Sequence, residues 1–190
     1  MLFRVSVLLC IAIVALSGCQ SVREPDRAAP TAAFDPAEAA FIKKPGTGKI
    51  DGHAFWRDGE GGTINAAGEI IRLVPATAYA RERFAMLYGG GRTVAASAIR
   101  QLPADPRYEE FTRTTRAESN GRFTFDNLAP GTYLVTAQIV FRDKHAYLHF
   151  QSGIYHNVQK VGSDGGAMFE TVTITGKEKD AVKLVLTNDR

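Results

Sequence analysis

Apolar and polar positions alternate with a period of two along much of this 190-residue chain, the pattern of strands with one face buried and the other solvated. In residues 49–57, Ile50, Gly52, Ala54 and Trp56 share a face. After Gly131, Tyr133, Val135, Ala137, Ile139 and Phe141 share another and predict the core face, with Thr136, Gln138 and Arg142 opposite. Ile71 and Leu73 alternate with Ile70, Arg72 and Val74, which predicts a strand covered partly on both sides. Strand character returns in residues 111–118, 145–150, 154–161 and 182–186 and around Val172 and Ile174. The chain therefore reads as eight or nine strands.

The breaks carry turn chemistry. Asn120-Gly121 lies between two strand-like runs and predicts a two-residue type I′ hairpin, which needs two positive φ angles. Ala129-Pro130-Gly131 predicts a type II turn. Polar turns are expected at Asp58 to Gly62, at Arg142-Asp143-Lys144, at Ser163 to Gly166 and at Gly176-Lys177-Glu178, and a hairpin at Gln151-Ser152-Gly153. One helix interrupts the strands. Thr77 is its expected cap, Ala80, Phe84, Leu87 and Tyr88 its buried stripe, and Gly89-Gly90-Gly91 its end. Residues 89–110 show no period and read as an irregular surface loop with helical turns at either end. The economical fold is all-β, an antiparallel β-sandwich with one inserted short helix.

The N-terminus has a different pattern. Arg4, an apolar run over residues 5–16 and then Leu16-Ser17-Gly18-Cys19 follow the plan of a secretory signal, too short for a lasting membrane span. Leu-Ser-Gly-Cys also resembles the bacterial lipobox, which implies cleavage after residue 18 and lipid on Cys19. That cleavage would remove Cys10 and Arg4, taking the net charge from +3 to +2 and leaving Cys19 without a disulfide partner. Two or three acyl chains, at about 0.8 kcal/mol per buried CH₂, would hold the protein on a membrane. Gln20, by resemblance to enterobacterial lipoproteins, implies the outer membrane as its place in the cell envelope. Residues 1–18 are thus expected to be signal, 19–45 a Pro/Ala-rich tether and 46–190 the sandwich. Asp35-Pro36-Ala37-Glu38 can start one or two helical turns before Pro45-Gly46, so this tether either docks or remains a spacer.

Gly121-Arg122-Phe123-Thr124-Phe125 followed by Asn127-Leu128-Ala129-Pro130-Gly131-Thr132-Tyr133 is similar to the carboxypeptidase regulatory-like domain. That resemblance implies a transthyretin-like (prealbumin-like) sandwich. Residues 48–55, 73–79 and Asp105-Pro106-Arg107 look like a subgroup of bacterial lipoproteins carrying the domain. Such a domain is expected to serve as an accessory folding or interaction module, without an assigned reaction.

Charge and motifs narrow the chemistry. A net charge of +2 favours neither nucleic acid nor acidic substrates. No HxxE, GxSxG or P-loop spacing occurs. His145 and His149, four apart on a strand, would sit about 13 Å from each other, too far to share an ion. His156 is expected to face away from His149 in the hairpin. No metal, cofactor or catalytic residue is therefore predicted. His145, Tyr147 and His149 on one strand face, with Tyr155 opposite His149, are the candidate ligand or partner surface, unless the rings pack inward. The leading expectation is a lipid-anchored, non-enzymatic envelope module facing a protein or glycan partner. The alternative is a metal-dependent hydrolase or oxygenase using the His/Tyr region 145–156. The geometric stretch 118–135 carries neither, and residues 78–110 and 145–161 are where function is expected.

Overall fold

The computed structural model of the chain describes residues 29–151 and 154–189, excepting the side chains of 143–151 and 154–163. Among the described residues nine strands form two sheets, and the fold is the all-β sandwich expected from the alternation. In the four-stranded sheet, β1 (Gly48–Arg57) pairs antiparallel with β2 (Thr63–Asn65) and with β6 (Arg122–Leu128). It pairs in parallel with β9 (Val182–Leu186), an exception to the antiparallel expectation. The five-stranded sheet has the order β4 (Thr93–Ala95), β8 (Ile154–Ile174), β7 (Gly131–Gln151), β3 (Ile70–Pro75), β5 (Arg113–Arg116), all antiparallel.

The alternating residues make the core. Ile50, Ala54 and Trp56 of β1 and Phe123 and Phe125 of β6 are buried, as are Ile71, Leu73, Tyr133, Val135, Ala137 and Ile139 across the interface. Facing sheets of this kind exclude water along alternate positions, here most fully in β1, β3 and β6. Val74, on the other side of β3, is also buried, because a helix covers that face. This is α2 (Ala78–Tyr88), capped by the Thr77 hydroxyl accepting from the Ala80 amide and ended by Gly89 in the left-handed region. Tyr79 joins Ala80, Phe84 and Tyr88 in its buried face, and Leu87 packs at the margin.

The tether docks. Asp35 caps the one-turn helix α1 (Pro36–Ala39), which continues as a 3-10 turn over Ala40–Lys43. Phe34, Ala39 and Ile42 are buried, and Phe41 meets the Tyr133 ring edge-on at 5.2 Å. Glu38 accepts from the Ala78 amide, and Glu82 of α2 accepts from the Thr31 amide and hydroxyl and from the Ala32 amide. The docked segment thus ties directly to α2 at Ala78 and Glu82.

Four local expectations are corrected. First, Asn120-Gly121 is not a type I′ hairpin: Gly121 alone has positive φ (78°), and its amide donates to the Glu118 carbonyl. The strands beside the turn belong to different sheets, so it carries the chain across the sandwich. A Cβ at Gly121 would collide with the Ala54 carbonyl oxygen. Second, Gly131 has no positive φ, so the Pro130-Gly131 turn is not type II. Asn127 takes the left-handed conformation instead (φ 57°), beside a bulge in the β1–β6 register, and the Tyr133 hydroxyl donates to the Ala129 carbonyl at 2.7 Å. Third, neither Arg142–Lys144 nor Ser163–Gly166 turns. They pair with one another inside two continuous 21-residue strands, Arg142 with Ser163 and Val140 with Gly165. Each segment looks like a turn alone and becomes strand because the other satisfies its backbone. Fourth, residues 89–110 contain β4, a short edge strand on β8, and their 3-10 turns lie at Ala96–Ala98 and Tyr108–Phe111, so only the second stands at an end of the stretch as expected.

Candidate functional site

The site grows from the outer face of the five-stranded sheet. On that face Arg72 of β3 and Thr136 and Gln138 of β7 project as alternation requires, forming a floor. Helix α2 forms one wall with Leu87 and Tyr88, and residues 99–102 with Glu109 form the other. Two adjoining depressions of about 160 and 540 Å³ share Arg72, Arg100, Thr136 and Gln138, so they make one continuous groove. A volume of this order suits a small ligand or a few sugar rings.

The far wall is irregular apart from the 3-10 turn that carries Glu109, yet it is pinned. Arg83 of α2 donates to the carbonyls of Leu102 and Pro103, each at 2.7 Å. The Tyr79 hydroxyl accepts from the Asp105 amide at 2.9 Å. Arg107 grips Asp105 through two hydrogen bonds of 3.0 and 2.8 Å and holds its carboxyl at about 2. Arg72 meets Glu109 at 2.9 Å across the groove floor. Behind the wall, Phe34, Tyr79, Tyr108 and Phe111 contact one another edge-on at 5.4 to 5.9 Å, and Lys43 lies 3.7 Å above Phe111. A groove whose walls are already ordered needs little rearrangement to bind.

Tyr88 and Tyr108 are the buried phenols of the site. Burial pushes Tyr88 up to about 12, while its hydroxyl shares a 2.7 Å hydrogen bond with Thr136. Burial also raises Tyr108 well above the usual phenol range, and its hydroxyl is buried without a hydrogen-bond partner among the described residues. Among the described residues neither hydroxyl is hydrogen-bonded to a basic side chain. Among the described residues no group of three or more metal-ligating side chains comes together.

The expected surface of His145, Tyr147, His149 and Tyr155 lies in the β7–β8 ribbon, where side chains are outside the described residues. The backbone register is clear and differs by one from the expectation: His149 pairs with His156, and Tyr155 with Phe150. Gln151 pairs with Ile154, so His156 stands directly opposite His149 in the ladder rather than facing away from it as expected, because a one-residue change of register moves every pair. Cys19 also lies outside the described residues, and among those described no helix is long and apolar enough to cross a membrane.

Sequence reasoning placed Arg72, Thr136 and Gln138 on outward strand faces and pointed to residues 78–110, but it did not bring them together. The missing signal was the pairing of Arg83 with a loop 19 and 20 residues away. No local pattern encodes such a contact.

These features define a class: β-sandwich proteins with a ready-formed groove on the helix-covered face. No family model matches the chain, and no curated protein matches it. Among solved structures, the chain is similar to a proposed carbohydrate-binding protein from Pseudomonas aeruginosa. The two share 23% identity and a TM-score of 0.64 over 83% of this chain and 99% of the other, which shows a common fold.

Proposed function

We propose that this chain is a lipid-anchored envelope module, without catalytic activity, that binds a glycan in the groove between α2 and residues 99–109. The observation that carries this reading is the groove itself: an ordered, solvent-open cleft whose floor and rim present Arg72, Arg100, Gln101, Thr136 and Gln138. Amides and guanidiniums suit a ligand rich in hydroxyls, and among the described residues Glu109 is the single carboxylate lining the groove, so no pair of carboxylates faces the ligand there. The shared fold with a proposed carbohydrate-binding protein supports the same reading. So does the resemblance of residues 121–133 to a carboxypeptidase regulatory-like domain, an interaction module. The lipobox at Cys19 supports attachment to the outer membrane, with segment 31–43 docked on the sandwich downstream of it.

A glycan panel of neutral and acidic oligosaccharides tests the reading. Binding to at least one member, abolished by Gln138→Trp in the exposed floor, is the expected result. A panel with no binder, or a binder indifferent to Gln138→Trp, would sink the groove as the site. For the anchor, Cys19→Ser should move the protein from the membrane fraction to the soluble fraction. Unchanged fractionation would rule out lipidation.

A further inference from the structure

We infer that the groove selects acidic glycans, sugars bearing carboxylates, with Arg100 as the main specificity residue and Arg72 as a second; this rests on the glycan-binding reading above. Three guanidiniums, Arg72, Arg83 and Arg100, line the larger depression against a single carboxylate, Glu109. The excess is local: the whole chain carries only +3. It arises because β3, α2 and the loop each contribute one arginine to the same space, which net charge could not reveal.

The three arginines differ in what they are free to do. Arg83 is committed to the Leu102 and Pro103 carbonyls, so it adds positive potential while holding the wall. Arg72 leans on Glu109 in a pair whose side chains are 45% and 64% exposed, a weak arrangement that a ligand carboxylate can displace. Arg100 is exposed and has no hydrogen-bond or ion-pair partner among the described residues. Its planar fork is therefore available to take a carboxylate through two parallel hydrogen bonds.

The aromatic rings of the groove point to the same conclusion. Neutral sugars are held largely by stacking on exposed aromatic faces. Here Phe84, Tyr88 and Tyr108 are each less than one-tenth exposed, because their rings pack against one another, Phe169, Phe34 or Tyr79. Recognition must then come from hydrogen bonds and charge, which Gln138, Thr136, Arg72 and Arg100 supply.

The experiment uses the full-length chain in detergent micelles and isothermal titration calorimetry. The probes are hexameric uronates of galacto, gluco and manno configuration, each with its carboxyl-reduced neutral counterpart, and a hexaglutamate. At least one uronate should bind about tenfold or more tightly than its neutral counterpart and than hexaglutamate. Arg100→Ala should remove about tenfold of that affinity without moving the thermal midpoint, and Arg100→Lys should restore part of it. Glu109→Gln should tighten uronate binding severalfold by freeing Arg72. Equal binding of a uronate and its reduced form would overturn the inference and leave the glycan reading standing. Hexaglutamate binding as tightly as the uronates would also overturn it, in favour of a general anion site. Failure of every sugar would remove both.

Discussion

The two outer faces of this sandwich come from the same alternation and end differently. On the four-stranded sheet, outward residues form a solvated surface of polar pairs: Lys183 meets Asp51 at 2.9 Å, Lys49 lies between Asp51 and Asp126, His53 reaches Asn65, and Arg57 pairs with Asp189. On the five-stranded sheet, a helix and a pinned loop are built over equivalent positions, and the polar residues left uncovered become the floor of a groove. What differs is the insertion between β3 and β5, which has its own small core of aromatic rings. A sheet face acquires a site when an insertion buries part of it and leaves the rest enclosed.

The comparison can be broken most forcefully at Phe84, which is buried between Tyr88 and Phe169. Phe84→Ala should cost about 3–5 kcal/mol, measured by urea unfolding, and abolish glycan binding. A loss near zero would mean that α2 is not held by its rings. The next effect has the opposite sign. Tyr108→Phe removes a buried hydroxyl without a partner and should stabilise the protein by about 1 kcal/mol, raising the thermal midpoint by roughly 2–4 °C. Destabilisation would show that the hydroxyl has a partner in solution.

A smaller, local effect concerns the strap over the covered face. Hydrogen bonds from the Thr31 amide, the Ala32 amide and the Thr31 hydroxyl hold the Glu82 carboxyl below its ordinary value of 4.5. A carboxyl depressed in the folded state contributes stability above its unfolded pKa and loses it as pH falls through the folded pKa. Amide exchange at Thr31 and Ala32, corrected for intrinsic rates, should therefore accelerate as pH drops below 4.5, and Glu82→Ala should produce the fast rates at neutral pH. Protection unchanged in Glu82→Ala would show that the strap is held elsewhere. The smallest effect belongs to the bare face. Lys183→Ala leaves a solvated partner behind and should not shift the thermal midpoint measurably. A clear loss there would show that the open face is more than a solvated surface.

Much of the fold was legible from the chain because strand alternation is local. Ile50, Ala54 and Trp56, or Tyr133, Val135 and Ala137, declare their common face without reference to anything distant. Thr77 and Gly89 mark the ends of α2 for the same reason. Asn120-Gly121 was legible as a place where the chain bends, but not as a bridge between sheets, because both outcomes use the same residues. Arg142–Lys144 and Ser163–Gly166 misled for the converse reason: each resembles a turn until its partner supplies the ladder. The groove was the least legible, since Arg72, Arg83, Arg100 and Gln138 come from four segments and share no motif.

The sequence by itself determined which residues face inward, where the helix begins and ends, and that the chain is an all-β sandwich, since these depend on period, capping and turn propensity over a few residues. Only the tertiary structure decided that β9 runs parallel to β1, that the tether docks on α2, and that three arginines gather over one sheet face. Those outcomes depend on contacts between segments tens of residues apart, whose energies are set by how whole elements pack.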